Sequence, residues 1–427
     1  MPGTTLRFLH TGNPTGLKFL LEYGDARCLF DFGQEHSPGR TPFSLGLEPR
    51  AGRELADLLA VGAAPAIPGV YAGEPWDQRT HLFISHLHLD HSGLIPHLGP
   101  DVPLFYPAAV EDLRRAASDC GYLRWREPGG KAVGDGEVVS VGPIQVRFLA
   151  VDHDLPGASG FLVETPDAAI AFTGDLRLHG LHPEVTEAFM TAVKGVDVLI
   201  QEGVTLGMPP LDPAQPPLTE AGVIAGLGRA VAESPGLVIV NCYGMNRERV
   251  AGLAEGCAAA GRTLLMEPQM AALAGWEGVI GDLEPARREP GAHCLQLGFE
   301  SLPLLIDLRP PPGSVYIPSG GAPFGSFDPR QAVADAWVER FGLANRPLNS
   351  SGHSRPADVA RIVSGIRPRV VLPVHSRAPE ALSVPGVESF VPQAGPTYRV
   401  ADILARPQPR TPIPDPTRIV RRRTRRR

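Results

Sequence analysis

The stretch "HLHLDHSG", residues 86–93, places three histidines and one aspartate within six positions. Imidazole nitrogens and carboxylate oxygens bind zinc in proteins, and such a cluster without a metal would bury polar groups without partners. In an extended segment His86 and His88 point to the same side, so they can bind one ion. Asp90 and His91 follow directly and can bind a second ion. The stretch therefore predicts part of a metal centre, and four side chains are too few to complete it.

Three further candidate ligands stand at the ends of predicted strands. They are His153 in "VDHDLPGASG", Asp175 in "AFTGDLRLHG" and His375 in "LPVHS". A carboxylate has two oxygens that can bind two ions, so Asp175 is the predicted bridging ligand. His36, His97, His182 and His293 lack this context. His179 lies near the site in sequence and leaves two interpretations open, of which a supporting or structural role is favoured.

The composition indicates a globular, loop-rich protein. Of the 427 residues 43% are hydrophobic, and 48 are Gly and 46 Pro. The N-terminus lacks a signal-peptide pattern, no apolar run approaches the roughly 18 residues of a membrane span, and the five cysteines are scattered. We therefore expect a cytoplasmic protein without a membrane segment. The net charge is −6, although residues 418–427 carry seven arginines.

The chain divides into four predicted segments. Residues 1–205 show short strands that end in polar residues, and residues 206–345 alternate helix with strand, as in a small parallel-sheet domain. Residues 346–405 return to the strand-plus-polar-end pattern, which indicates that the second segment is inserted into the first domain. Residues 406–427 form a Pro-rich and Arg-rich tail.

These residues resemble the motifs of the metallo-β-lactamase superfamily, which has an αββα sandwich architecture. His86, His88, Asp90 and His91 match its HxHxDH motif, and Asp31 in "LFDFG" matches a supporting aspartate at an early strand end. The resemblance implies two zinc ions, for which manganese can substitute. The implied ligands are His86, His88 and His153 for one ion, Asp90, His91 and His375 for the other, and Asp175 for both.

The long gap between Asp175 and His375 resembles the β-CASP insertion of ribonuclease J and of the endonuclease of mRNA 3′-end cleavage. Glu202 in "LIQEGVT" and His353 in "NSSGHSRPADVARIV" match two further motifs of that branch. The implied fold is α/β, a metallo-β-lactamase αββα sandwich with an inserted α/β domain. The implied substrate is single-stranded RNA.

The resemblance also implies a mechanism in which a metal-bridging hydroxide cleaves a phosphodiester bond. Asp90, His353 and Glu202 are the expected catalytic residues, with His353 contacting the phosphate or protonating the departing oxygen and Glu202 setting the tautomer of His353. Ser351 is a candidate for substrate binding. Arg247, Arg249 and Arg355 are candidate contacts to the RNA backbone.

Two alternatives remain open at this point. The chain can be a hydrolase of the same fold that acts on a small ester, thioester or lactone. It can also be a binding protein that uses metal only for structure, although no expected ligand is missing. The sequence does not decide between a monomer and a homodimer.

Overall fold

The computed structural model describes residues 2–12, 15–35, 41–126, 129–208, 218–325 and 327–406. Residues 209–217 and the predicted tail after residue 406 lie outside these ranges. The strands, in chain order, are β1 Thr5–His10, β2 Lys18–Tyr23, β3 Ala26–Phe30, β4 Thr80–Phe83, β5 Leu104–Pro107, β6 Lys131–Val133, β7 Val138–Val141, β8 Ile144–Ala150, β9 Ser159–Thr165, β10 Ala168–Phe172, β11 Val198–Glu202, β12 Val238–Cys242, β13 Thr263–Met266, β14 His293–Gln296, β15 Val315–Ser319, β16 Ala344–Asn345, β17 Val370–Val374, β18 Glu388–Ser389 and β19 Thr397–Arg399.

The strands are joined by short α-helices. They are α1 Glu54–Ala60, α2 Leu89–Ser92, α3 Glu111–Asp119, α4 Pro183–Ala192, α5 Glu220–Glu233, α6 Arg247–Ala259, α7 Pro268–Ala274, α8 Glu284–Arg288, α9 Leu305–Leu308, α10 Arg330–Arg340, α11 Pro356–Ile366 and α12 Val400–Leu404. In the described part of the chain, none of these helices has the length and apolar character that crossing a bilayer requires.

Two seven-stranded sheets form the larger part of the molecule. Their strand orders are β19-β1-β2-β3-β4-β5-β6 and β18-β17-β11-β10-β9-β8-β7. Strands β2 and β3 form a hairpin: they pair antiparallel around a two-residue turn, in which Gly24 has a φ of +60°. The strand that carries His375, β17, pairs in parallel with β11 although it comes much later in the chain.

A core of aromatic rings holds the two sheets together. The ring centroids of Phe19 and Phe30 are 5.0 Å apart, and those of Phe30 and Phe161 are 5.3 Å apart. Phe83 and Phe172 belong to the same buried cluster. Separate apolar clusters cover the outer faces, one of them including four residues of α11. The result is the predicted αββα sandwich of α/β class.

A third sheet has the strand order β13-β14-β12-β15-β16 and is entirely parallel. All its strands lie between residues 238 and 345, inside the segment predicted as an insertion. Buried side chains from helices cover both faces, among them Val223 on one face and Val338 on the other. Buried parallel strands need apolar residues on both faces, which explains the run "LVIVNC" in β12.

Candidate metal centre

The predicted ligands follow strands that end at one edge of the two sheets. Residues 86–91 follow β4, Asp175 follows β10, and His375 follows β17. His153 follows β8, which runs parallel to β10 because both pair antiparallel with β9. Strands with the same direction release their next residues at the same edge, so the folding of the sheets brings these distant residues together.

A first donor group consists of His86, His88, His153 and Asp175. The Nδ1 of His88 lies 3.2 Å from the Nε2 of His86 and 3.2 Å from the Nε2 of His153. Two nitrogens bound to one tetrahedral zinc at about 2.1 Å would lie about 3.4 Å apart. Burial lowers the pKa of His153 to about 3, so its imidazole is neutral, the form that binds metals.

A second donor group consists of Asp90, His91 and His375. The Nε2 atoms of His91 and His375 are 3.4 Å apart, and each lies within 3.6 Å of the Oδ2 of Asp90. His375 has a φ of +51°, a backbone conformation that a non-glycine residue rarely adopts and that is common at functional sites.

Asp175 lies between the two groups. Its Oδ2 is 3.5 Å from the Nε2 of His86 and 3.2 Å from the Nε2 of His91. Its side chain is 1% exposed, and neither oxygen has a hydrogen-bond partner among the described residues. Burial opposes ionisation, but His91 and His375 hold the pKa of this carboxyl well below its usual range. A buried carboxylate that accepts no close hydrogen bond and lies among five imidazoles fits bound cations, so the donor set fits the implied metals.

Buried partners orient the rings of both groups. The Nδ1 of His91 donates to the Oδ2 of Asp31 over 2.7 Å, and the Nδ1 of His153 donates to the carbonyl of Gly352 over 2.7 Å. Ser85 Oγ lies 2.9 Å from the Nδ1 of His86 and donates to Asp31. Because the Nδ1 atoms are occupied, the Nε2 atoms of these three histidines face the cluster.

His353 also reaches the cluster. Its Nδ1 lies 3.6 Å from the Oδ2 of Asp175 and 3.7 Å from the Oε2 of Glu202. Burial alone would lower the pKa of His353, but the carboxylates of Asp175 and Glu202 raise it to about 9. The separation from Glu202 exceeds a hydrogen bond. Glu202 instead accepts from the backbone N–H groups of Val204 and Ser354, each over 3.0 Å. It therefore fixes the backbone that follows β11 and the backbone next to His353.

Ser351 was predicted to bind the substrate together with His353. It is exposed, and its Oγ accepts from the backbone N–H of His353 over 3.0 Å. Ser351 therefore closes a local turn, and substrate contact by this residue stays a prediction.

Comparisons with known proteins agree with this geometry. The family model of the metallo-beta-lactamase superfamily matches residues 46–220. Ribonuclease J of Mycobacterium tuberculosis H37Rv is 25% identical over 337 residues, which cover 70% of this chain and 58% of that protein. Ribonuclease J of Sinorhizobium meliloti is 21% identical over 408 residues, which cover 82% and 68%. The crystal structure of a protein of unknown function from Enterococcus faecalis V583 has a TM-score of 0.77 at 30% identity and covers 93% of this chain and 99% of that one.

Residues 46–220 carry a metallo-β-lactamase superfamily domain. The chain matches less than two thirds of the length of the mycobacterial ribonuclease J. The HxHxDH stretch, His153 and Asp175 all fall within the part matched by the superfamily model.

Two residues near the candidate metal centre were not anticipated from the sequence. Asp154 has a buried Oδ1 without a hydrogen-bond partner in the described structure, 3.3 Å from the Nε2 of His153 and 3.5 Å from the Nε2 of His88. Tyr243, which directly follows β12 of the third sheet, has its ring centroid 5.8 Å from that of His88. Both follow strands that end in polar residues, the signal that had selected His153 and Asp175.

The prediction that Arg249 contacts RNA is wrong. Its side chain is 3% exposed and bonded to the carboxylate of Glu220. Arg247 donates to the carbonyl of Leu273, and Arg355 donates to that of Leu218. The sequence shows a positive charge but not its partner, and these arginines bind acceptors within the protein.

Proposed function

We propose that this protein is a dinuclear zinc hydrolase that cleaves phosphodiester bonds of single-stranded RNA. The observation that carries the proposal is the shared carboxylate of Asp175, which joins a group of three histidines to a second group with two histidines and one aspartate. The similarity to proteins named ribonuclease J supports RNA as the substrate. On the same basis we propose that residues 206–345 are a β-CASP insertion within a domain formed by residues 1–205 and 346–405, with a tail at 406–427.

We assign His86, His88 and His153 to one ion, Asp90, His91 and His375 to the other, and Asp175 to both. Two bound zinc ions, or manganese ions in their place, would supply Lewis acidity and lower the pKa of bound water. Neighbouring groups orient the rings of the proposed ligands: Asp31 fixes the ring of His91, and the carbonyl of Gly352 fixes that of His153.

His353 is proposed either to contact the phosphate of the substrate or to protonate the departing oxygen. It lies on the rim of the cluster with a side chain that is 22% exposed, so a substrate can reach it, while its Nδ1 stays within 3.6 Å of Asp175. A histidine in this place can donate a hydrogen bond or a proton to a departing oxygen. Glu202 supports it by holding the backbone N–H of Ser354.

Elemental analysis of the full chain, combined with digestion of single-stranded RNA labelled at either end, tests the proposal. We expect about two equivalents of zinc per chain and cleavage that His88→Ala abolishes. His182→Ala is the matched control, because His182 is an exposed histidine outside the donor groups. Comparing RNA that bears a 5′-monophosphate with RNA that bears a 5′-triphosphate distinguishes cleavage that starts at the 5′ end from cleavage inside the RNA strand. Zinc-loaded protein that leaves RNA intact would refute the proposal.

A second candidate is hydrolysis of a small ester, thioester or lactone at the same centre. The observation in its favour is that Arg247, Arg249 and Arg355 bind acceptors within the protein. Chromogenic esters, thioesters and lactones assayed beside labelled RNA separate the two functions. Turnover of a small substrate with intact RNA would select the second candidate.

A further inference from the structure

The segment 349–354, here called the His353 loop, is bonded through its backbone to several separate elements. The carbonyl of Ser351 accepts from the Nε2 of His179 over 2.9 Å. The carbonyl of Gly352 accepts from His153, and the N–H of Ser354 donates to Glu202. The position of His353 therefore depends on the groups that hold this loop.

Arg249, on α6 of the inserted segment, holds the N-terminal half of the His353 loop. Its Nη1 donates to the Oδ1 of Asn349 over 2.7 Å and to the carbonyl of Ser319 over 2.8 Å. Its Nη2 donates to the carbonyl of Ser350 over 3.0 Å. With the two bonds from Nε and Nη2 to Glu220, all five N–H donors of the guanidinium are used.

Glu220 connects this guanidinium to the loops that carry the metal-binding residues. It is fully buried at the start of α5, and its Oε2 also accepts from the Nη1 of Arg177 over 2.9 Å. Arg177 lies two residues after Asp175, and its Nε donates to Asp152, the residue before His153. One buried network of charges thus reaches from the strand ends around the centre to the His353 loop.

We propose that Arg249 and Glu220 are positioning residues that set the His353 loop and thereby place His353 beside Asp175. The proposal rests on the proposed function to the extent that His353 acts on the substrate. Its physical basis is the planar fork of the guanidinium, which binds Glu220 with one edge and the loop with the other. A lysine keeps the charge but cannot make these five bonds.

Hydrogen exchange of the full zinc-loaded protein tests the structural half of the proposal without any activity assay. Arg249→Lys should speed exchange in a peptide covering residues 350–354 about tenfold or more. Arg262→Lys is the matched control, because Arg262 is also buried in the inserted segment and donates to backbone carbonyls, but those of Gly236, Ser234, Pro290 and His293. The proposal is overturned if Arg249→Lys leaves hydrogen exchange in the His353 loop unchanged. It is also overturned if Arg262→Lys speeds exchange in that loop by the same factor.

A double-mutant cycle tests the catalytic half. Arg249→Lys should lower kcat about 10- to 100-fold, leave KM within about twofold and retain two equivalents of zinc. In a His353→Ala background the same substitution should lower kcat no further, because it acts through His353. An equal loss in both backgrounds would show a general structural role and contradict the proposal.

Failure of the proposed function is distinguishable from failure of this inference. If the wild-type protein leaves RNA intact but hydrolyses a small ester, the cycle is measured on that ester. If it hydrolyses neither substrate, the proposed function fails and the exchange experiment alone decides whether Arg249 sets the loop.

Discussion

The Nδ1 of His91 lies 2.7 Å from the Oδ2 of Asp31, and both side chains are fully buried. Asp31 also accepts from the backbone N–H of Ser85 over 2.8 Å, and its φ is +55°. A strained aspartate at the end of β3 therefore fixes the ring of a candidate metal ligand. The same carboxylate, through Ser85, also reaches the ring of His86, so it orients residues of both donor groups.

Replacing this aspartate should weaken metal binding without removing a ligand. We expect Asp31→Asn to lower zinc affinity about 10- to 100-fold, because the His91 ring loses its anionic partner. Titration with a competing chelator measures the change. Asp197→Asn serves as a control for charge loss, since Asp197 bonds Arg369 at the surface. Equal affinities for wild type and Asp31→Asn would contradict the orienting role.

Removing the carboxylate shared by the two groups should have a larger effect. Asp175→Ala leaves each group short of one donor, and we expect zinc content to fall from about two equivalents to one or fewer. Activity should fall by at least about 10²- to 10³-fold. Elemental analysis after dialysis, with circular dichroism to show that the fold persists, checks this. Retention of two equivalents would show that Asp175 does not join the groups.

The close approach of Gly33 to the HxHxDH stretch predicts a steric effect. A Cβ on Gly33 would lie 1.5 Å from the carbonyl oxygen of Asp90, so Gly33→Ala must displace the backbone that carries Asp90 and His91. We expect a loss of about 1–3 kcal/mol or more in the free energy of unfolding, together with reduced zinc content. Gly281→Ala is the control, because a Cβ there meets no atom within 4 Å. Urea denaturation compares the two variants.

The stability of the protein should depend on pH through Glu111. Hydrogen bonds from Arg114, Tyr106 and Arg115 lower the pKa of this carboxyl from 4.5 to about 2. The folded state therefore favours the ionised form, and its stabilisation is fully present above pH 4.5 and is lost as the pH falls through 2.

We expect Glu111→Gln to lower the free energy of unfolding by about 1 kcal/mol at pH 7, a value reduced by solvent screening. The difference between wild type and variant should shrink as the pH falls below 4.5. Urea titrations at pH 7 and pH 3 measure it, and a difference that grows on acidification would contradict the assignment.

Much of the fold followed from local patterns in the sequence. Short strands that end in polar residues were predicted for residues 1–205 and 346–405, and β8, β10, β11 and β17 lie in those segments. The αββα sandwich followed from the resemblance of the HxHxDH stretch and its companion residues to the motifs of the metallo-β-lactamase superfamily. These features depend on neighbours in sequence, which is why a single chain shows them.

The partners of buried charges could not be predicted in the same way. Arg249 was expected on the surface, yet Glu220 and the His353 loop surround it, and only the packing of α5 against α6 brings these groups together. Asp154 was also missed, although it follows a strand as His153 does, because its contacts with His88 and His153 exist only in the folded chain. Such residues are found from tertiary proximity and not from spacing along the chain.

The parallel pairing of β17 with β11 has a consequence for biosynthesis. A ribosome makes the histidines of residues 86–91 first, and the strand that delivers His375 can pair with β11 only after the long intervening segment has been made. An unfinished nascent chain holds an incomplete set of donors. If the protein is a nuclease, its proposed catalytic centre is incomplete on the ribosome until His375 has been made.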